Sequence, residues 1–293
     1  MRFPRSHRIA VVNGMRNVTL ILGIAGALLV FAPIARAVDT VRTVYFSASD
    51  GKGAYITDLA AAELTVKEDG KVRPIASLQL ATAPMHIAIF VDDAGSGAFQ
   101  SSVADFLEKM YGHAQFAISV LNPQSQKLTD FTDDRGALQA ALGRLALRGR
   151  ISVDGDQIVD AVDRAATDFR QRAVARPVIV VLTVSGETTL ADRGPATLDD
   201  LRNSRAGLNV FHISGLGLGR VLGDGPKQSG GITVQANGGV VLTSVLSKVA
   251  DHLLHQYVLT YTLPDGIKPN ERFQLATSRK GVTLSAPTRI AEK

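Results

Sequence analysis

The chain has 293 residues, no cysteine, no tryptophan and a formal net charge of +5. The absence of cysteine excludes disulfides, thiol nucleophiles and cysteine-ligated metals, and the few aromatic residues give no support to a carbohydrate-stacking or base-stacking surface. Residues 1–37 contain five arginines and no acidic residue, so without them basic residues fall from 32 to 27, the number of acidic residues. The rest of the chain is formally neutral, which removes the electrostatic basis for a nucleic-acid partner.

Residues 1–37 have the pattern of an export signal peptide. Four arginines come first, an apolar segment over 18–34 follows, and Ala35-Arg36-Ala37 is the small-x-small sequence of a signal peptidase site. We therefore predict cleavage before Val38 and an exported protein, periplasmic or secreted. In the alternative, this leader is retained as a single N-terminal membrane anchor, and no other membrane contact is expected.

Residues 38–82 predict an N-terminal β segment. Apolar and polar side chains alternate over 41–49, and the sequence 50–53 predicts a turn. Asp69-Gly70 between two alternating runs is a strong signal for a two-residue hairpin.

Residues 83–255 alternate between predicted strands and helices. Apolar runs predict buried strands at 86–91, 116–121, 178–182 and 208–213. Between them, apolar residues at helical spacing predict three amphipathic helices, with the faces Phe99, Val103, Phe106, Leu107 and Met110; Leu138, Leu142 and Leu145; and Ile158, Val159, Val162, Ala166 and Phe169. Such alternation predicts an α/β fold with a doubly wound, mostly parallel sheet.

The C-terminal segment, 256–293, returns to β character after a predicted helix at 242–254. Strands are predicted at 256–263, 272–277 and 282–286. Because each terminal β segment alone is too small to be stable, 38–82 and 256–293 are expected to pack together as an accessory β unit beside the α/β domain. The glycine-rich stretch 215–231 is expected to be a mobile loop.

Several motifs resemble those of one family. They are the strand, acidic turn and helix at 87–110, the sequence Thr183-Val184-Ser185-Gly186-Glu187, the run TDL at 57–59 with LTVKEDGK at 64–71, and QYVLTY at 256–261. On these motifs the chain resembles von Willebrand factor type A (VWFA) domain proteins, and more narrowly the bacterial VWFA-related exported family, over roughly residues 41–288. The resemblance implies a Rossmann-like type A domain.

The resemblance also implies a degenerate metal-ion-dependent adhesion site. The family's Asp-x-Ser-x-Ser motif reads Asp92-Asp93-Ala94-Gly95-Ser96 here, so one hydroxyl ligand is replaced by Ala94. Asp156 stands where the family has a threonine, and the family's late aspartate falls on Val184 or Ser185.

The ligands that the resemblance implies for a divalent cation (Mg²⁺, Mn²⁺ or Ca²⁺) are Asp92, Ser96 and Asp156, with Ser185 or Glu187 as a further contributor. Each also has a purely structural interpretation. Asp92 would accept hydrogen bonds from turn amides, and Ser96 and Asp156, or the neighbouring Asp154, would cap helices.

Other motifs favour neither a cofactor nor catalysis. Gly215-Leu216-Gly217-Leu218-Gly219 follows a strand, but the later glycines and Pro226 are expected to prevent the helix that a dinucleotide site requires. Ser96 and Ser185 lie in no Gly-x-Ser-x-Gly motif, and the histidines beyond residue 37 have no metal-binding spacing.

These observations predict an exported binding module. As the resemblance implies, it would mediate protein–protein interaction or adhesion in the cell envelope, at the rim formed by the loops after Val91, Gly149 and Leu182. A bound cation would capture an acidic residue of the partner. The alternatives are a metal-free structural or scaffold protein of the envelope and, third, a hydrolytic enzyme.

Overall fold

A computed structural model describes residues 40–122, 124–146, 148–149, 156–187, 193–213, 217–236 and 242–292, without the side chains of 156 and 242–245. The predicted leader at 1–37 lies outside the described residues, so export stays a prediction. Within the described part of the chain, no helix combines the length and apolarity needed to cross a bilayer.

The secondary structure of the described residues alternates as the sequence predicts in the middle of the chain and is β at both ends. The strands are β1 (Thr40–Asp50), β2 (Leu64–Glu68), β3 (Lys71–Arg73), β4 (Ile75–Leu80), β5 (Met85–Asp92), β6 (Ala114–Val120), β7 (Gln126–Thr132), β8 (Pro177–Thr183), β9 (Gly207–Ile213), β10 (Thr233–Ala236), β11 (Gln256–Leu263), β12 (Phe273–Thr277) and β13 (Val282–Ser285). The α-helices are α1 (Gln100–Met110), α2 (Arg135–Arg144), α3 (Asp156–Gln171), α4 (Gly194–Ser204), α5 (Arg220–Ser229) and α6 (Leu242–Leu254).

The central sheet has the strand order β10-β9-β8-β5-β6-β7. Its neighbouring strands are parallel except for the edge pair β6 and β7. The chain builds the sheet outwards from β5 through β6 to β7, then returns to the other side of β5 and continues through β8 and β9 to β10. The sheet is therefore doubly wound, as predicted, and its topological switch lies between β5 and β8.

Helices cover both faces of this sheet. In β5, Ile87, Ile89 and Val91 pack in a core with α1, α2 and α6, whereas Ala88 and Phe90 belong to a second core with α3, α4 and α5. Every residue of the neighbouring strand β8 is buried. Burial on both faces explains why these strands are nearly continuous apolar runs in the sequence.

The accessory β unit combines both ends of the described chain. One antiparallel sheet has the order β13-β1-β11-β4 and a smaller one the order β12-β2-β3, so each takes strands from 38–82 and from 256–293, as predicted. The β2–β3 hairpin turns at Asp69 and Gly70, whose φ angles are 52° and 73°. All described residues belong to one compact unit, and the domain boundaries at 82 and 255 stay predictions.

The prediction of a mobile loop at 215–231 is wrong for most of the residues that the structure describes there. Residues 220–229 form α5, with Pro226 inside it. The helix is stabilised by packing, because Val221 and Leu222 are fully buried, and Gly225 leaves room where a Cβ would lie 2.7 Å from the Leu208 side chain. Tertiary packing thus outweighs the low helix propensity of glycine and proline. The expectation that these residues prevent a helix after β9 is wrong for the same reason.

Candidate functional site

Asp92 and Thr183 face each other across the topological switch, at the carboxyl ends of β5 and β8. They are paired in the parallel ladder, and both side chains are buried. Thr183 Oγ1 donates a hydrogen bond of 2.6 Å to Asp92 Oδ2 and accepts the amides of Ser185 and Gly186 at 3.0 and 2.9 Å. Open α/β sheets bind ligands at this position, so Asp92 lies where the fold favours a site.

Among the described residues, the other carboxylate oxygen of Asp92 accepts no hydrogen bond of normal geometry. Asp92 Oδ1 and Ser185 Oγ are both buried, and Ser185 approaches the Asp92 carboxylate with its hydroxyl and its amide, but in a strained geometry. Burial raises the pKa of Asp92; the Thr183 hydroxyl and the nearby Ser185 lower it, and the neighbouring carboxylate Asp93 raises it. A buried oxygen without a well-aligned donor is unfavourable, and a ligand that bonds to it would remove this cost.

The turn after β5 is held by Asp93, whose side chain is also buried. Asp93 Oδ1 accepts the Gly95 amide at 3.0 Å and Arg148 Nη2 at 2.5 Å, and Oδ2 accepts the Gly97 amide at 2.8 Å. The Arg148 amide in turn donates to the Gly95 carbonyl at 2.8 Å. The segment after α2 is therefore fixed against this turn by an ion pair and a backbone hydrogen bond.

Two of the predicted ligands satisfy other groups. Ser96 is exposed, and its hydroxyl donates to the Asp93 carbonyl at 2.7 Å and accepts the Ala98 amide at 3.3 Å. Glu187 accepts the amides of Val221 and Leu222 at 3.1 and 2.7 Å, which caps the N-terminus of α5. These are structural roles.

The remaining predicted ligands are Asp92, Ser185 and Asp156. Asp92 and Ser185 lie together at the topological switch, where β5 and β8 end. Asp156 is the first residue of α3, but its side chain lies outside the described residues, as does Asp154. The metal assignment therefore stays a prediction.

The described residues fit a divalent cation only through a small donor set. They contain no group of three or more His, Asp or Glu that could hold a metal. The Thr183 hydroxyl already uses its hydrogen and both lone pairs, so the remaining oxygens at this end of the switch are Asp92 Oδ1 and Ser185 Oγ. Because Mg²⁺ and Ca²⁺ require six or more oxygens, a cation held by these two described oxygens would depend mainly on water.

Three residues of the site, Asp93, Arg148 and Thr183, are not among the ligands that the sequence predicts. Thr183 carried a usable signal, since it is a hydroxyl residue at the end of a buried apolar strand. Asp93 was noted as part of the motif, but its inward orientation depends on the left-handed turn at Ala94 and Gly95, with φ angles of 52° and 77°. Arg148 had no local signal, because its partner is 55 positions away in the sequence.

Catalytic and nucleotide interpretations find no support in this geometry. Among the described residues, neither Ser96 nor Ser185 is hydrogen-bonded to a histidine. Ser47 Oγ does meet His252 Nδ1 at 2.9 Å, but both residues are buried away from the rim, beside β11. At the N-terminus of α5, the Glu187 carboxylate occupies the position that a pyrophosphate would take.

Comparison with known proteins gives matches among solved structures alone. No protein-family model matches the sequence, and no curated protein sequence matches it. A von Willebrand factor type A protein from Catenulispora acidiphila is 12% identical, with 88% of this chain and 75% of that chain covered and a TM-score of 0.49. The VWA domain of SpRpn10 is 13% identical, with 57% and 94% covered and a TM-score of 0.42.

A third similar structure is proximal thread matrix protein 1 from the mussel byssus, which is 10% identical, with 61% of this chain and 50% of that chain covered and a TM-score of 0.44. The α/β part of this chain is VWFA-like in fold. The strand order of the central sheet and the helices packed on both of its faces support this assignment. Similarity at these identities concerns the fold alone and says nothing about the partner or the metal.

Proposed function

We propose that the chain is an exported protein-interaction module that recognises a partner at the VWFA-like rim where β5 and β8 end. The observation that supports this most is the buried Asp92 Oδ1, which lies beside Ser185 at the topological switch and has no hydrogen bond of normal geometry to any described residue. A buried carboxylate oxygen without a well-aligned donor is unfavourable by itself, and a ligand at the rim would supply the missing interaction. The export part rests on the leader sequence.

The contact that these atoms favour is one with a cation or a hydrogen-bond donor. A divalent cation at Asp92 and Ser185 would present open positions to an acidic side chain of the partner. Without a cation, a donor group of the partner would bond to Asp92 directly. Both routes need the ionised carboxylate, and burial raises its pKa, so partner binding should weaken as the pH falls.

A metal-free scaffold is the second candidate. It is favoured by the Arg148–Asp93 ion pair and by the engaged side chains of Ser96 and Glu187, because these stabilise the loops without a metal. In that case the binding surface would lie elsewhere, for example on the accessory sheets.

We expect Asp92→Asn to reduce partner retention about tenfold or more, which is about 1.4 kcal/mol of binding free energy. The tagged full-length protein is used to recover partners from the envelope fraction of the source cells, with and without EDTA, at neutral pH and at pH 5. Asp265→Asn, an exposed turn residue far along the chain from the rim loops, is the matched control. Retention lost with EDTA assigns the cation-assisted route, and retention unaffected by EDTA assigns direct contact.

Stability separates this result from misfolding. A folded-state pKa above the unfolded value stabilises the fold at low pH, and this contribution disappears as the pH rises through the folded pKa. At neutral pH, Asp92→Asn should therefore melt no lower than the unchanged protein. Undiminished retention by Asp92→Asn, or an equal loss in Asp265→Asn, would contradict the proposal.

A further inference from the structure

A cavity of about 220 Å³ lies at the opposite end of the sheet from Asp92. It is lined by the amino ends of β8 and β9, the C-terminal end of α4, the first half of β1 and residues 287–291. The seven residues of β8 separate it from the rim by about 20 Å. The cavity is therefore a separate feature at the junction of the α/β sheet and the accessory unit, and such junctions are common places for ligand sites.

The charge around this cavity is one-sided. Among the described residues, its lining contains five arginines and no Asp or Glu: Arg42, Arg176, Arg202, Arg205 and Arg289. Carboxylates behind the lining compensate three of them. Glu68 lies 3.7 Å from Arg42, Glu271 is paired with both Arg202 and Arg289, and Asp199 is also paired with Arg202, at 3.0 Å.

Arg176 has no such counterion. It is 3% exposed and donates hydrogen bonds to the carbonyl oxygens of Ala83 and Leu253 and to Gln256 Oε1, at 3.2, 2.5 and 2.9 Å. No carboxylate of the described residues lies within ion-pair distance. Burial lowers the pKa of Arg176 to about 10, so the side chain is still charged at pH 7. A buried charge without an opposite charge is strongly unfavourable.

Three guanidinium nitrogens of the lining arginines are also buried without an acceptor. They are Arg42 Nη1, Arg176 Nε and Arg202 Nε. The arginines come from β1, from the residue before β8 and from α4, so three separate elements bring guanidinium groups to the cavity wall. Guanidinium groups match carboxylate and phosphate oxygens in geometry and charge.

We propose that this cavity binds a small organic anion, with its carboxylate at Arg176 and Arg202 and an apolar body against the rest of the lining. Val44, Tyr45, Leu201, Leu253 and Ile290 supply the apolar part. The volume is below the range of drug-sized pockets, about 300–1,000 Å³, which favours a compact ligand such as an aromatic or short aliphatic acid. The proposal does not depend on the function of the rim.

The test measures the melting temperature of the full-length protein in increasing concentrations of sodium benzoate, hexanoate, phosphate or chloride, at equal ionic strength. At about 100 times its dissociation constant, a bound ligand should raise the melting temperature by roughly 5–10 °C. We expect benzoate or hexanoate to do so saturably and chloride not to. Calorimetric titration then gives the dissociation constant of the stabilising acid.

Two cavity variants and one control identify the site. Arg202→Gln, and separately Arg176→Met, should weaken binding of that acid tenfold or more, whereas Arg164→Gln, an exposed arginine of α3 outside the cavity, should leave it unchanged. Because Arg202→Gln keeps every hydrogen bond of Arg176, it tests the site even if Arg176→Met fails to fold. No anion-specific stabilisation, or stabilisation that persists in Arg202→Gln, would overturn the proposal. Stabilisation by phosphate with no gain from an apolar body would overturn the ligand class.

Discussion

Replacing Glu68 by alanine is expected to lower the free energy of unfolding by about 3–5 kcal/mol. Glu68 is fully buried at the end of β2, accepts the Tyr261 hydroxyl at 2.5 Å and the Asn270 amide at 2.6 Å, and lies 3.7 Å from Arg42 Nε. Alanine would leave two donors and a guanidinium without their acceptor in the accessory unit. Denaturant unfolding measures the loss.

The control for Glu68→Ala is Glu108→Ala. Glu108 is also paired with an arginine, Arg135, but both side chains are largely exposed. An exposed pair of this kind contributes little to stability, so this variant should unfold close to the unchanged protein. Equal unfolding midpoints for the two variants would show that Glu68 does not join the two terminal segments energetically.

Asp93→Ala is expected to cost about 3 kcal/mol and to loosen the rim itself, because the Gly95 and Gly97 amides and the Arg148 guanidinium lose a buried acceptor. For a chain of this size the melting temperature should fall by roughly 6–12 °C. Hydrogen exchange should become faster at the amides of Gly95 and Gly97.

Ser96→Ala is the matched control for Asp93→Ala. It removes one exposed hydroxyl from the same turn and should cost about 1 kcal/mol or less. If Asp93→Ala were as mild as Ser96→Ala, the turn would be held by its backbone alone, and the ion pair with Arg148 would not fix the rim.

The sequence predicted the parts of the fold that depend on complete burial. β5, β6, β8 and β9 are covered on both faces, so their apolarity is visible in the sequence. No residue of the edge strand β7 is buried, and its sequence shows no such run. β10 has four residues, too few for a periodic pattern.

Two helices, α4 and α5, were not predicted, because their amino-acid composition gives no helical pattern in the sequence. α4 begins Gly-Pro and has few apolar residues, although Leu198 and Leu201 are buried. α5 contains three glycines or prolines in its middle, and its stability comes from the Glu187 cap and from contacts with the residues of β9. Both depend on partners distant in sequence, which a local pattern does not contain.

Of the site, the sequence predicted only the position of Asp92, because the topology of the sheet determines that position. Asp92 follows a buried strand, so its place at the sheet's carboxyl edge follows from the fold. The actual partners of Ser96 and Glu187 follow from turn geometry and from the position of α5, neither of which the family resemblance specifies. Of the residue types that could bind a metal, the structure therefore uses Glu187 as a helix cap and Ser96 within the turn after β5.

The most direct test of recognition at the rim uses the fact that the chain has no cysteine. A single thiol introduced as Ala98→Cys, in the exposed turn after β5, carries a photo-crosslinker, and Ala276→Cys on the accessory strand β12 is the matched exposed control. We expect a discrete cross-linked partner from position 98, absent at position 276 and lost when Asp92→Asn is added. A partner cross-linked from position 276 and not from 98 would contradict the account.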